Sequence, residues 1–351
     1  MADSQRISHL TDKTARLSVP KLAKKLVLKQ HFAPVQPDLQ RVESRIKQQA
    51  DFFDPGIHGY IEYATETSGK RIRPALVLLA SHATGGCKEE HIDLAVIIEL
   101  IHLASLVHDD VLDNAQIRRA KPTSNSKWGT ELSVLLGDCL FAHALKLCTH
   151  FDDNQICRQI ADAANEVCAG EILQTQRRFD LKLPVSDYLR MIAMKTGALF
   201  RVSTELSAYL NGLPSAGVEA YRIYGDSIGI AYQIYDDCLD LFGSEDGSGK
   251  TLGTDLKKGK LTLPMLHMLQ QLGGSEMEKV SESILHGDDS GRDELRRRIV
   301  DMGGHTYSVR KAQDYLEKAA RILDGVPQNG FVETLKTFAL GFARELEVLK
   351  S

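Results

Sequence analysis

What this chain lacks narrows its function before anything it contains does. Its six cysteines form no CxxC pair and show no zinc-ligand spacing, and most lie within apolar helical stretches. They read as small buried hydrophobes kept reduced, which argues against a disulfide framework and predicts a cytoplasmic protein. The longest apolar runs are broken by Glu99, His102 or Asp109, too early for a membrane span, and no signal-peptide core is predicted. Net charge is −4, so no whole-protein field recruits nucleic acid. Walker and GxGxxG loops are missing, and no Ser-His or Cys-His pair stands out as nucleophile and base. Alternating β-branched stretches bounded by turn residues, the mark of strands, are absent too.

What remains is helix. Leu39-Val42-Ile46, Ile92 to Ile101, Val134-Leu135-Leu140, Ile160-Ala164-Val167 and Leu199-Val202-Leu206 recur every three to four residues. Glycine and proline fall at plausible joints: Gly85-Gly86, Gly212 to Pro214, Gly243 to Gly253, Gly273-Gly274 and Gly303-Gly304. The pattern predicts an all-α, single-domain bundle of roughly ten or more helices around a central cavity, spanning residues 36–351. Residues 1–35 differ. No acid occurs between Asp12 and Asp38, while Lys13, Arg16, Lys21, Lys24, Lys25 and Lys29 do. This basic arm has only a short apolar face, so a solvated arm is the preferred reading over a membrane-surface anchor or targeting sequence.

The chain is organised around Ile97–Asp113, an apolar run ending in Asp109, Asp110 and Asp113. At about 100° per residue these three carboxylates share one helical face, where like charges destabilise a helix. Hard divalent cations reverse that cost, because Mg²⁺ takes oxygen ligands and bridges carboxylates to phosphates. Asp236, Asp237 and Asp240 repeat the spacing on a second apolar helix. Facing helices of a bundle build metal sites from such side chains.

Four cationic groups accompany the aspartates: Lys70 with Arg73, Arg118 with Arg119, Lys195, and the run from Lys250 to Lys260. Arginine forks and lysine point charges suit phosphate oxygens. Thr196, Gln174 and Gln233 are polar residues within apolar helices, and His102 lies two turns before Asp109 on the same face. Glu99 and His102 also spell ExxH, a di-iron ligand pair, but no second ExxH exists. A diphosphate bridging metal and arginine accounts for both signs of charge. The chemistry implied is electrophilic, with an apolar, water-free cavity receiving a carbocation.

GKRIRP, HDDVLDNAQIRRAKP, Gly137-Asp138, GEILQ, KTGALF, YQIYDDCLDLFG and GKTLGTDLKKGKLTLP occur in that order. With them the chain resembles the polyprenyl synthetase family of trans-isoprenyl diphosphate synthases from about Leu39 onward. The resemblance implies an all-α, usually homodimeric prenyltransferase joining isopentenyl diphosphate to an allylic diphosphate. It implies that Asp109, Asp110, Asp113, Asp236, Asp237 and Asp240 hold three Mg²⁺. Arg118, Lys195, Thr196, Gln233, Lys250 and Lys260 would contact the allylic diphosphate, and Lys70, Arg73, His102 and Arg119 would bind isopentenyl diphosphate. Asp109, Asp110, Lys195 and Asp236 are the residues expected to carry catalysis.

Two departures from the family pattern, Ala120 for Gly and Tyr232 for Phe, are expected to lie away from charged ligands. Ala104 and Ser105 occupy the positions where short-chain members place aromatic rings. With Phe141 and Leu145 as candidate floors, they predict a product of C30–C50, the class used for quinone side chains, and a peripheral membrane contact for so long a chain. A geranylgeranyl or farnesyl diphosphate synthase is the alternative, and a non-catalytic subunit of a heteromeric synthase is the reading from another class. Terpene cyclases normally replace the second motif with an Asn/Ser/Glu pattern, which YDDCLD is not.

Overall fold

The apolar periodicity becomes helix almost everywhere. The computed structural model of the chain describes residues 30–66, 69–119, 121–243, 253–286 and 289–348. In chain order the helices are α1 Gln36–Gln48, α2 His58–Thr65, α3 Ile72–Thr84, α4 Glu89–Leu112, α5 Ser124–Trp128, α6 Thr130–Cys148, α7 Asn154–Gln176 and α8 Val185–Ile192. They continue with α9 Ala198–Leu210, α10 Ser215–Phe242, α11 Thr254–Lys257, α12 Leu263–Leu269, α13 Gly274–His286, α14 Asp289–Asp301, α15 Gly304–Ile322 and α16 Gly330–Val348. Among the described residues the one sheet is a ribbon that sequence periodicity missed, β1 Ile117–Arg118 against β2 Lys121–Pro122. Two-residue strands are too short to show alternation, so nothing in the pattern marks them.

The centre is α4, flanked by α1, α3, α6 and α9, while α10 lies between α9 and α15. From Ile92 to Ala104 nearly every side chain of α4 is buried, including Leu94, Ile97, Ile98 and Leu100. A helix apolar all round belongs in a core. By length and composition α4 could cross a membrane, yet most of its apolar window is enclosed by neighbouring helices.

Close approaches set the geometry. A Cβ on Gly229 of α10 would fall 2.7 Å from Gly197 Cα, and one on Gly225 would fall 2.4 Å from the Phe200 carbonyl. Only glycine lets α10 lie this near to α9. The same holds for Gly137 on α6, whose missing Cβ makes room for His108 of α4. With His108 beside the first turns of α6, that helix runs back along α4. The basic segment joins the body slightly before residue 36: Phe32 and Val35 are buried, with Phe32 against Phe338 of α16.

Candidate active site

Two helix ends deliver the carboxylates. The last turn of α4 carries Asp109 and Asp110 with Asp113 as its C-cap, and the last turns of α10 carry Asp236, Asp237 and Asp240. Helix C-termini bear partial negative charge, so six acids there oppose stability and favour bound cations. Lys260 and Asp255 lie between the two ends. Lys260 Nζ sits 3.1 Å from both oxygens of Asp113, and Asp255 is near enough to Asp113, Asp236 and Asp240 to feel all three charges. No three of these carboxylates bring an oxygen each within 4.8 Å of one another. The donor set is all hard oxygen and fits Mg²⁺, but its spread favours ions that complete their shells with phosphate oxygens over one ion caged by protein.

The six aspartates, alike in sequence, divide by environment. Asp110 and Asp237 are buried and already engaged. Arg118 Nε donates to Asp110 Oδ1 at 2.8 Å. Tyr188 Oη donates to Asp237 Oδ2 at 2.5 Å, and Gln233 Nε2 donates to Oδ1 at 2.8 Å. Thr196 Oγ1 donates in turn to Gln233 Oε1 at 2.7 Å, so one chain of bonds runs from Thr196 to Asp237. Asp109, Asp113, Asp236 and Asp240 are only half-buried.

Charge follows position. Burial, then Asp255, pushes Asp237 up to about 8. Asp255, within GKTLGTDLKKGKLTLP but not singled out there, is raised to about 6 by burial and by Asp240. Burial also raises Asp109 and Asp110. For Asp113 burial is outweighed by Lys260 and Lys258, which hold it below the usual carboxylate range.

Lys195 lies in a single π turn, Ala193–Gly197, that joins α8 to α9. Wide turns of this kind recur at functional sites because they aim a side chain out of helical phase. Its Nζ donates to Gln174 Oε1 at 3.0 Å, pairs with Glu171 and lies 3.9 Å from Asp109 Oδ1. Arg178 and Lys258 reach Asp113 at 3.6 Å and 3.2 Å. Lys250 lies outside the described residues.

A second cluster is cationic. Arg73 stacks its guanidinium 4.6 Å over the Phe200 ring, and its buried Nε has no hydrogen-bond partner. Burial lowers its pKa against the pull of Glu99. Arg119, in left-handed backbone at φ 52, packs its guanidinium against Gly69. Desolvation and then Arg118 lower it. Between these arginines His102 is held well below its ordinary range, first by burial and then by Arg73 and Arg119. An imidazole so placed stays neutral at pH 7.

Lys70 and Tyr232 complete this pocket, with Nζ 6.0 Å above the ring. Tyr232 is near enough to Arg73 and Arg119 to affect both. One helical turn before Asp236, α10 thus turns the Tyr232 ring toward Lys70, Arg73 and Arg119. Arg71 supports the cluster from behind. Its Nη1 donates to the buried Glu99 Oε1 and its Nε to Glu43 Oε1, both at 2.6 Å. Glu99 is thus an arginine partner, consistent with setting the ExxH reading aside.

Toward the interior, Ala104 is fully buried and Ser105 Oγ donates to the His102 carbonyl at 2.8 Å. Phe141 packs on the edge of the core and Leu145 is half-buried, one and two turns beyond Gly137 on α6. Tyr188, Glu171, Arg178 and Asp255 escaped sequence reasoning. Tyr188 and Arg178 lie outside every quoted motif, whereas Glu171 sits within GEILQ and Asp255 within GKTLGTDLKKGKLTLP without being singled out.

The polyprenyl synthetase family pattern matches residues 54–302. The chain is 33% identical over 305 residues to the all-trans-nonaprenyl-diphosphate synthase (geranyl-diphosphate specific) of Rhodobacter capsulatus, covering 87% of this chain and 94% of that protein. It is 34% identical to heptaprenyl diphosphate synthase component 2 of Geobacillus stearothermophilus, covering 89% and 97%. A crystal structure of a Caulobacter crescentus CB15 polyprenyl synthase, complexed with calcium and isoprenyl diphosphate, superimposes with a TM-score of 0.84 at 33% identity, covering 90% and 97%.

Proposed function

The chain belongs to the polyprenyl synthetase family, and from that premise we infer a head-to-tail prenyltransferase that adds isopentenyl diphosphate to an allylic diphosphate. Its product is a long all-trans polyprenyl diphosphate, in the C30–C50 range of quinone side chains. The observation that carries this is the pairing of an acidic cleft with an adjoining cationic pocket, one suited to each diphosphate.

Divalent ions, three Mg²⁺ in this reading, neutralise the allylic diphosphate when bound and make it a leaving group. Asp109, Asp113, Asp236 and Asp240 would hold them. Asp110, steered by Arg118, and Asp237, steered by Tyr188 and Gln233, set the orientation of the two helix ends. Lys195, Lys260, Arg118, Thr196 and Gln233 face the same diphosphate, where fixed donors stabilise charge as the C–O bond breaks. Lys250 is assigned beside them by the family pattern alone. Arg73, Arg119 and Lys70 hold isopentenyl diphosphate as cations, and neutral His102 serves as a hydrogen-bond donor. The isopentenyl double bond attacks the allylic carbon, and the proton lost afterwards passes to the released diphosphate. Ala104 and Ser105 leave room for the growing chain between α4 and α6. Replacing Ala104 with Phe should shorten the main product by several isoprene units, read by chromatography; an unchanged distribution would place the pocket elsewhere.

Leu132, Val134 and Leu135 of α6 are exposed apolar side chains on one stretch of helix. They support a homodimer with α6 at the interface. On the sequence reading alone, the residues before Phe32 are assigned as a basic arm and the enzyme as cytoplasmic, touching membrane to deliver its product. The likeness to a heptaprenyl synthase component favours one second reading, a subunit that needs a different partner. Purified protein with Mg²⁺, labelled isopentenyl diphosphate and a series of allylic primers decides between them. Long products from this chain alone support the proposal. C15–C20 products support a short-chain enzyme, and turnover only with an added subunit supports the heteromer.

A further inference from the structure

At the far end of α4 from its aspartates, three other metal-binding side chains meet. Asp38 from the first turn of α1, His82 from the last turn of α3 and Cys87 from the α3–α4 joint place one ligand atom each within 4.8 Å of one another. We propose that they form a second metal site, for a borderline transition-metal cation such as Zn²⁺, separate from the cleft that takes Mg²⁺.

The donor set selects the metal. A thiolate, an imidazole and one carboxylate suit Zn²⁺, whereas Mg²⁺ demands oxygen. The geometry is close. His82 Nε2 lies 2.9 Å from Asp38 Oδ2, and ligand atoms around a tetrahedral Zn²⁺ stand roughly 3.3–3.6 Å apart given ordinary bond lengths. Cys87 Sγ, within 4.8 Å of both, would have to close the remaining distance. The scaffold is already fixed. His82 stacks on Phe331 of α16 at 4.7 Å and 15°, which sets the imidazole plane. Asn211 Nδ2 clamps the joint carrying Cys87, donating to the carbonyls of Ser81 and Gly86 at 2.9 and 3.1 Å.

Arg41 Nη1 lies 3.1 Å from Asp38 Oδ1 while its Nη2 bonds Glu89, so Arg41 is the competing cation. Both Glu89 oxygens are taken by Arg41 and Arg45, so water would supply the fourth ligand. On binding, the Cys87 thiol gives its proton to solvent and its sulfur lone pair to the metal. His82 would shift its hydrogen from Nε2 to Nδ1 through solvent exchange, so that the Nε2 lone pair and Asp38 Oδ2 both face the metal. Such a site would staple α1, α3 and the start of α4 together, with binding energy added to folding energy.

Cobalt reports the ligands directly. Titrated with Co²⁺ in the absence of any diphosphate, the wild-type protein should develop a near-ultraviolet thiolate-to-metal band that saturates at one equivalent. Cys87→Ser should abolish that band and lower Zn²⁺ bound in equilibrium dialysis by one equivalent. His82→Gln should keep the band but weaken Co²⁺ affinity at least tenfold. The cleft aspartates offer no sulfur and cannot give this signal. No thiolate band in the wild type, or a band that persists in Cys87→Ser, overturns the proposal. Metal-free melting curves of both variants, compared with wild type, verify that the fold is retained.

Discussion

The acidic cleft and the cationic pocket share α4 and α10, yet they meet their own charges in opposite ways. In the cleft Lys195, Lys258, Lys260 and Arg118 each have carboxylate partners. There acids exceed bases, and burial raises Asp109, Asp110, Asp237 and Asp240 toward the protonated form. In the pocket Arg73 and Arg119 are lowered, and Arg73 Nε is buried without a partner. Buried donors lacking an acceptor cost stability, so the pocket is built to be completed by an anion. The cleft must take up cations before an anion is welcome. Under the proposed function, the two regions would sort two chemically similar diphosphates by whether metal accompanies them.

The largest effect expected from breaking this contrast is on turnover. Asp109→Asn or Asp236→Asn should lower kcat by about 10³-fold, roughly 4 kcal/mol of transition-state stabilisation, measured as incorporation of labelled isopentenyl diphosphate. An equal effect on isopentenyl diphosphate KM would mean that the two regions are not separate. Next in size, Arg73→Leu should raise that KM on the order of 100-fold while leaving the allylic KM within about twofold. A matching loss in allylic KM would show that the arginine serves both sites.

Protons should act on the regions with opposite sign. Asp237, at about 8, and Asp255, at about 6, hold protons more tightly folded than unfolded. Their contribution to metal-free stability therefore grows as pH falls from 8 toward the ordinary carboxylate range. His102 is held below its ordinary value, so its contribution is lost as pH falls below about 6.5. In chelator, Asp237→Asn should remove the rise in Tm between pH 8 and 6.5, and His102→Gln should blunt the fall below it. Coincident Tm profiles for both variants and wild type would refute this division. The smallest change is Tyr232→Phe, expected to alter isopentenyl diphosphate KM by less than about threefold, since the ring and its stacking remain.

Much of this was legible along the chain. Helical periodicity named Leu39, Val42 and Ile46 as one buried face, and α1 buries all three. The aspartate spacing placed each acidic triplet on one helical face, and the structure adds that both faces lie at helix ends. What could not be read was tertiary. Arg71 looks like one more cation of the motif, yet its left-handed φ of 50 and its bonds to Glu43 and Glu99 make it a brace. The aspartate triplets are equivalent as letters, and only burial separates Asp110 and Asp237 from their neighbours. Tyr188 reaches Asp237 through space, with no local pattern to betray it.

The π turn at Ala193–Gly197 has a consequence for how this protein tolerates change. A wide turn houses one surplus residue, so the chain from α8 to α9 is a helix whose angular phase slips by about 100° midway. Removing a single residue there would let an uninterrupted helix re-form with little loss of backbone hydrogen bonding. The lysine opposite Asp109 would then swing to another side of the cylinder. Insertions and deletions that surface loops absorb freely would here leave a folded but misaimed enzyme.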